Sequence, residues 1–178
     1  MSRSKSKKEQ WVLAIDPGIA NTGWAEFCNG KRVTSGCLET SPKNSIQSRI
    51  GSICQRLADI DHNSTVVVED FVGSLGRKTV WLIGAILGYN YQKEIVLVLP
   101  RRWPKELHGA GLDKDVYKQK SMLLATAGGH TPKTQHEADA ICIGLWYLNG
   151  KRDTTCQQKS KNAPTTKKQR IKLSSKTS

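Results

Sequence analysis

The sequence predicts an α/β domain built on a five-stranded mixed sheet with helices on both faces. Three observations carry that prediction. The apolar run WVLAI leads into Asp16 and stops at Pro17-Gly18. Two alternating segments follow, joined across Asn29-Gly30, a dipeptide that marks a two-residue hairpin turn. Beyond them, stretches of helical periodicity alternate with short β-branched runs, the pattern of strands joined by crossover helices.

Each element has its own signal. WVLAID (11–16) reads as a buried strand. TGWAEFC (22–28) and RVTSGCL (32–38) alternate and form the second and third strands of a meander. From Ser45 to His62, Ile46, Ile50, Ile53, Leu57 and Ile60 recur at four-three-four-three spacing, which is one face of a helix. TVVVE (65–69) is a β-branched strand. Lys78 to Tyr91 reads as a helix that is apolar nearly all round, with Gly84 and Gly88 permitting close approach by a neighbour. EIVLVLP (94–100) is the fifth strand, stopped by Pro100. Val116 to Ala127 and Gln135 to Leu148 are the last two helices, the second closed by Asn149-Gly150. The order is β-β-β-α-β-α-β-α-α. The natural place for the fourth strand is parallel to the first and beside it.

Charge divides the chain. The 178 residues suit one domain, and the formal net charge is +13. Residues 1–10 carry four Lys or Arg against one acidic residue, and 151–178 carry nine against one. These ends lack apolar periodicity and read as basic disordered arms flanking a domain at 11–150. Basic arms suit a polyanionic partner, nucleic acid before others. Five cysteines without a CxxC pair argue against a disulfide framework or a zinc site and suit a reducing, cytoplasmic setting. The N-terminus has no secretory h-region; its basic, Ser-containing start leaves an organellar address open. The longest apolar run, Val80 to Leu87, is far shorter than the roughly 20 residues needed to span a bilayer.

Three acidic stations carry the chemistry: Asp16 after the first strand, Glu69 closing the fourth, and Asp139 in HEADA on the last helix. A carboxylate beside a buried strand costs free energy unless something pairs with it. If the first and fourth strands are parallel neighbours, Asp16 and Glu69 meet at one C-terminal edge, where open α/β sheets place ligands. The last helix then has to bring Asp139, and with it His136, to the same place. Such a set suits a divalent cation, and in a strongly basic chain it suits metal-assisted cleavage of nucleic acid. Each residue also has a plainer role: Asp16 as a turn former, Glu69 on a solvated strand end, His136 at a helix start. Asp70, Asp113, Asp115 and Glu137 are read as solvated surface groups.

The set AIDPGIANTGWAEF, VVVEDF and HEADAICIGLW resembles the RuvC-type Holliday-junction resolvases of the ribonuclease H-like superfamily, over roughly residues 11–149. Asp16-Pro17-Gly18 with Thr22-Gly23 matches that family's first motif, Glu69 with Phe71 its second, and His136 with Asp139-Ala140 its last. Pro100, Lys105, Gly109, Gly111 and Lys114 stand where the family has a Pro-rich turn, a Gly-rich stretch and a Lys that opens a helix. Where the family carries a fourth carboxylate, this chain carries His136.

The resemblance implies a ribonuclease H-like fold, a homodimer, and symmetric phosphodiester hydrolysis of four-way DNA junctions. It implies a Mg²⁺ centre, with Mn²⁺ able to substitute, held by Asp16, Glu69, His136 and Asp139. It further implies DNA contacts from Phe71, which would stack at the junction centre, and from Lys105 and Lys114. The alternatives are a branched-DNA or flap nuclease of the same superfamily and a nucleic-acid-binding protein with a vestigial site.

Overall fold

The computed structural model describes residues 9–71, 76–129 and 131–157, the last seven by backbone alone. The strands are β1 (Trp11–Asp16), β2 (Asn21–Cys28), β3 (Lys31–Glu39), β4 (Thr65–Glu69) and β5 (Ile95–Val98). The helices are α1 (Ile46–Ile60), α2 (Arg77–Tyr89), α3 (Arg102–His108), α4 (Lys114–Thr126) and α5 (Gln135–Gln157). One five-stranded sheet runs in the order β3-β2-β1-β4-β5. β1, β2 and β3 are antiparallel neighbours, and β4 is parallel to both β1 and β5. The hairpin turn at Asn29-Gly30 takes positive φ at both residues, 52° and 80°, as a two-residue turn of this kind requires.

Alternation along β1 feeds two cores. Val12 and Ala14 face α3, α4 and α5, with Phe27, Trp103, Ala125, Ile141 and Ile143. Leu13 and Ile15 face α1 and α2, with Ile53, Leu57, Leu82 and Ile86. Helices therefore cover both faces of a mixed sheet, as the periodicities predict. Val12 to Ile15 of β1 and Val66 to Val68 of β4 are taken out of water, worth about 1.5–3 kcal/mol for a fully buried Val, Leu or Ile. Among the described residues no helix is long and apolar enough to cross a membrane.

Two elements differ from the sequence reading. α3 occupies the stretch after Pro100 that resembled a Pro-rich turn. Pro104 sits within the first turn of this helix, where its missing N–H has no intrahelical partner to lose. The element order thus gains a helix, β-β-β-α-β-α-β-α-α-α. α5 does not close at Asn149-Gly150 but runs on to Gln157. A mid-helix glycine costs only about 1 kcal/mol, and the Lys, Arg and Asp that follow it accept helix. The first seven residues of the segment read as a basic arm are therefore helical. Residues 1–8 and 158–178, the rest of the predicted arms, lie outside the described residues.

The contact that positions the site is between α5 and β2. Gly23 pairs with Asp16 in the β1–β2 ladder. A Cβ at Gly23 would stand 1.8 Å from the His136 carbonyl oxygen, so only glycine lets the first turn of α5 lie on the strand. Thr22, fully buried, donates to the Gly18 carbonyl at 2.8 Å and closes the loop after Asp16. Arg49 of α1 holds that loop from behind, donating to the Ile19 carbonyl at 3.0 Å and to Thr40 Oγ1 at 2.8 Å.

Replacing Gly23 by Ala should therefore lever α5 off β2. The expected cost is at or above the upper end of the roughly 1–3 kcal/mol typical of overpacking, read by urea denaturation. An unchanged midpoint would show that α5 does not depend on this contact.

Candidate active site

The parallel register pairs Ile15 with Val68, so the next residues, Asp16 and Glu69, leave the sheet at the same C-terminal edge. α5 crosses that edge with its first turn. His136 Nδ1 lies 2.7 Å from Asp16 Oδ2, and Asp139 follows one turn on. Glu69 is within hydrogen-bonding reach of Asp16 and feels the charge of Asp139. The four residues singled out in the sequence, Asp16, Glu69, His136 and Asp139, thus come from three elements to one place.

Their electrostatics are those of a site short of positive charge. Burial, and then the charge of Asp16, push the Glu69 carboxyl up to about 8, although a hydrogen bond from Trp103 opposes the shift. Burial likewise raises Asp139 to about 6; Asp16 adds to the rise, while bonds from Gln135, Tyr117 and Ser121 work against it. His136 is raised by its hydrogen bond to Asp16, against the effect of its own partial burial. One imidazole does not offset three carboxylates at a partly dry edge. Among the described residues no group of three or more His, Cys, Asp or Glu side chains stands in ligating geometry. Asp16 is turned onto His136, Glu69 onto Trp103, and Asp139 onto Tyr117 and Gln135. The donor set still fits a hard divalent ion, since it offers three carboxylates with a single imidazole paired to one of them.

A cleft of about 720 Å³ opens beside the cluster. Glu69 and Asp139 line it together with Lys105, Lys114, Gly109 and Gly111. Both lysines are exposed. Phe71 is elsewhere: its half-buried ring packs on the α1/α2 core, and a Cβ at Gly76 would meet that ring at 2.1 Å. Residues 72–75, between Phe71 and Gly76, lie outside the described residues.

The structure adds residues that the sequence reading passed over. Trp103 Nε1 donates to Glu69 Oε1 at 2.7 Å. Tyr117 donates to Asp139 Oδ1 at 3.1 Å, and Gln135 Nε2 donates to the same oxygen at 2.9 Å. Gln135 had a legible signal, standing four residues before Asp139 on one helix face. Trp103 and Tyr117 had none, because the α3–α4 hairpin brings them in from a distance. Glu137 corrects an expectation. It is 2% exposed rather than a solvated surface group. Its carboxylate accepts from Ser35 Oγ and from the Lys133 amide, each at 2.8 Å. Thr134 Oγ1 in turn accepts from the Glu137 amide at 3.1 Å, so the pair caps the start of α5.

These shifts predict how the metal-free protein responds to pH. Glu69 and Asp139 have folded pKa values above their unfolded ones, near 4. The folded chain then keeps protons that the unfolded chain releases. That contribution to stability is complete below about pH 4 and is lost as pH rises through about 6 for Asp139 and about 8 for Glu69. His136, also raised, acts in the same direction. In chelator, Tm should fall between pH 5 and 8. Glu69→Gln should match the parent near pH 4 and exceed it at pH 8. Superimposable Tm curves for the two proteins would contradict this electrostatic picture.

No family model matches the chain, but individual proteins do. The crossover junction endodeoxyribonuclease RuvC of Rhodopseudomonas palustris (strain BisB18) is 26% identical over 156 residues, covering 78% of this chain and 86% of that protein. RuvC of Rickettsia bellii (strain OSU 85-389) is 29% identical over 153 residues, covering 77% and 96%. Among solved structures, Thermus thermophilus RuvC superposes with a TM-score of 0.67 at 23% identity, over 82% of this chain and 98% of that one. The same protein is also solved in complex with a Holliday junction substrate. The fowlpox virus Holliday junction resolvase superposes at 0.56 and 14% identity, over 79% and 99%. The chain is thus similar in sequence to RuvC proteins over about 77% of its length, and its fold is ribonuclease H-like.

Proposed function

We propose that this chain is a divalent-metal-dependent, structure-selective endodeoxyribonuclease that resolves four-way DNA junctions by symmetric phosphodiester hydrolysis. The observation that carries the reading is the gathering of Asp16, Glu69, Asp139 and His136 at one sheet edge beside a lysine-bearing cleft. The sequence similarity to RuvC proteins supplies the substrate class.

Asp16, Glu69, Asp139 and His136 would hold Mg²⁺, or Mn²⁺ in its place, and the bound metal supplies a water nucleophile and charge neutralisation at the phosphate. The protein's own part is positioning. Asp16 is in contact with His136 and acts on Glu69, so it would be shared by the residues that hold the ion. His136, paired with Asp16 through Nδ1, would serve as a ligand or a base in its neutral form. Lys105 and Lys114, lining the same cleft, meet the backbone phosphates. The half-buried Phe71 would stack on an unstacked base, a contact worth roughly 1–3 kcal/mol. The basic residues of 1–10 and 151–178 add salt-sensitive affinity without sequence preference.

The working unit is a homodimer. α2 turns Leu82, Ile83 and Ile86 inward but leaves an apolar stripe in water, with Trp81 51% exposed and Tyr91, just past the helix, 75% exposed. Gly84 and Gly88 have open space before them. A two-fold partner on this face would present two sites to the two-fold-related strands of a junction. A cytoplasmic, DNA-associated location goes with this reading.

The test is a cleavage assay with Mg²⁺ on an assembled four-way junction, a flap and a linear duplex. The junction should be cut in preference to the other two. Asp16→Asn, Glu69→Gln and Asp139→Asn should each lower the rate by more than the roughly 100-fold that outer-shell changes reach, while junction binding survives. In pH–rate profiles the acid limb should lie above about 6.5, the ordinary His value, because Asp16 holds the His136 proton. His136→Asp should keep cleavage and move that limb down, and His136→Ala should cost far more. Parental rates in any of the three carboxylate variants would refute the assignment.

A further inference from the structure

Two of the three carboxylates are gripped from one helical hairpin. Trp103 of α3 is 1% exposed, and its one polar atom, Nε1, donates to Glu69 Oε1 at 2.7 Å. Tyr117 of α4 donates to Asp139 Oδ1 at 3.1 Å. The two rings meet edge-on, their centroids 5.6 Å apart. His108 packs on both, 6.2 Å from Trp103 and 5.6 Å from Tyr117. His108 is itself held by Ser121 Oγ at 3.2 Å, and its carbonyl accepts from Lys120 Nζ at 3.0 Å. The three rings form one block, so neither donor can swing away without disturbing the other.

Packing alone does not call for these residues. A buried indole or phenol needs a partner for its N–H or O–H, and at this edge the partners are the two carboxylates. A single fixed donor takes one oxygen of a carboxylate, sets the plane of the group and leaves the second oxygen available. Tyr117 and Gln135 both donate to Oδ1 of Asp139, so Oδ2 receives neither of these two bonds. The bond to Glu69 likewise uses only Oε1.

We propose that Trp103 and Tyr117 are positioning residues that hold Glu69 and Asp139 by one oxygen each, so that the other oxygen of each meets a divalent ion already oriented. The inference rests on the metal-centre reading above. It adds that the α3–α4 hairpin, besides walling the cleft with Lys105 and Lys114, sets the carboxylate geometry from behind. Outer-shell donors of this kind commonly account for 10- to 100-fold in metal affinity.

The test is Mn²⁺ binding to the full-length protein without DNA, read by electron paramagnetic resonance, beside the Tm in chelator. Trp103→Phe and Tyr117→Phe remove the donors and keep the rings. Each should weaken Mn²⁺ binding by about tenfold. Trp103→Phe should add nothing in a Glu69→Gln background, and Tyr117→Phe nothing in an Asp139→Asn background, because no carboxylate is left there to orient. Parental Mn²⁺ affinity in both single variants would overturn the proposal while leaving the metal centre standing. Equal weakening with and without the carboxylate would also overturn it, since that is the mark of lost packing. A parent that binds no Mn²⁺ would bring down the metal-centre reading and this inference together. Should Trp103→Phe fail to fold, the near-isosteric Tyr117→Phe and its cycle with Asp139→Asn decide the matter.

Discussion

Three carboxylates brought to one half-buried sheet edge repel one another and lose solvation together, and much of the domain is arranged around that cost. Glu69 is driven up to about 8 and Asp139 to about 6, so in the absence of a cation the cluster keeps protons that free carboxylates would have shed. A site under such strain has a use for divalent positive charge. Binding it removes the repulsion and releases those protons, so metal affinity and pH are linked through these residues.

The surrounding structure supplies the rigidity that keeps the carboxylates from drifting apart. The parallel pairing of β1 with β4 sets Asp16 beside Glu69. The bare backbone of Gly23 lets α5 descend onto β2 and deliver His136 and Asp139. Arg49 and Thr22 brace the loop that follows Asp16. Glu137, capped and buried at the start of α5, ties that helix to Ser35 of β3 and to the Lys133 amide before it. The α3–α4 hairpin contributes lysines to the cleft and donors to the carboxylates.

Much of this was legible in the sequence where the signal is local. The β-branched runs, the Asn29-Gly30 turn and the period of α1 define their elements, and the acidic stations follow from strand ends and one helix stripe. Three features resisted for definite reasons. α3 carries Pro104, which reads as a helix breaker unless it falls in the first turn. α5 passes through Asn149-Gly150, a pair that usually stops a helix but that only costs it stability. Glu137 sits one residue from the His136–Asp139 stripe and was read as solvated, because periodicity does not reveal that α5 lies across both β2 and β3. The donors Trp103 and Tyr117 belong to the same class: their partners are 34 and 22 residues away in the chain, and only the folded hairpin brings them together.

The most direct measurement of the central claim is a ¹³C NMR titration of the Glu69 side-chain carboxyl, in chelator and in saturating Mg²⁺. The account predicts a midpoint near 8 in chelator, moving well below neutrality when Mg²⁺ is present. A Glu69 that titrates near the ordinary value of about 4.3 in chelator, and is unmoved by Mg²⁺, would contradict both the uncompensated cluster and the ion it is proposed to hold.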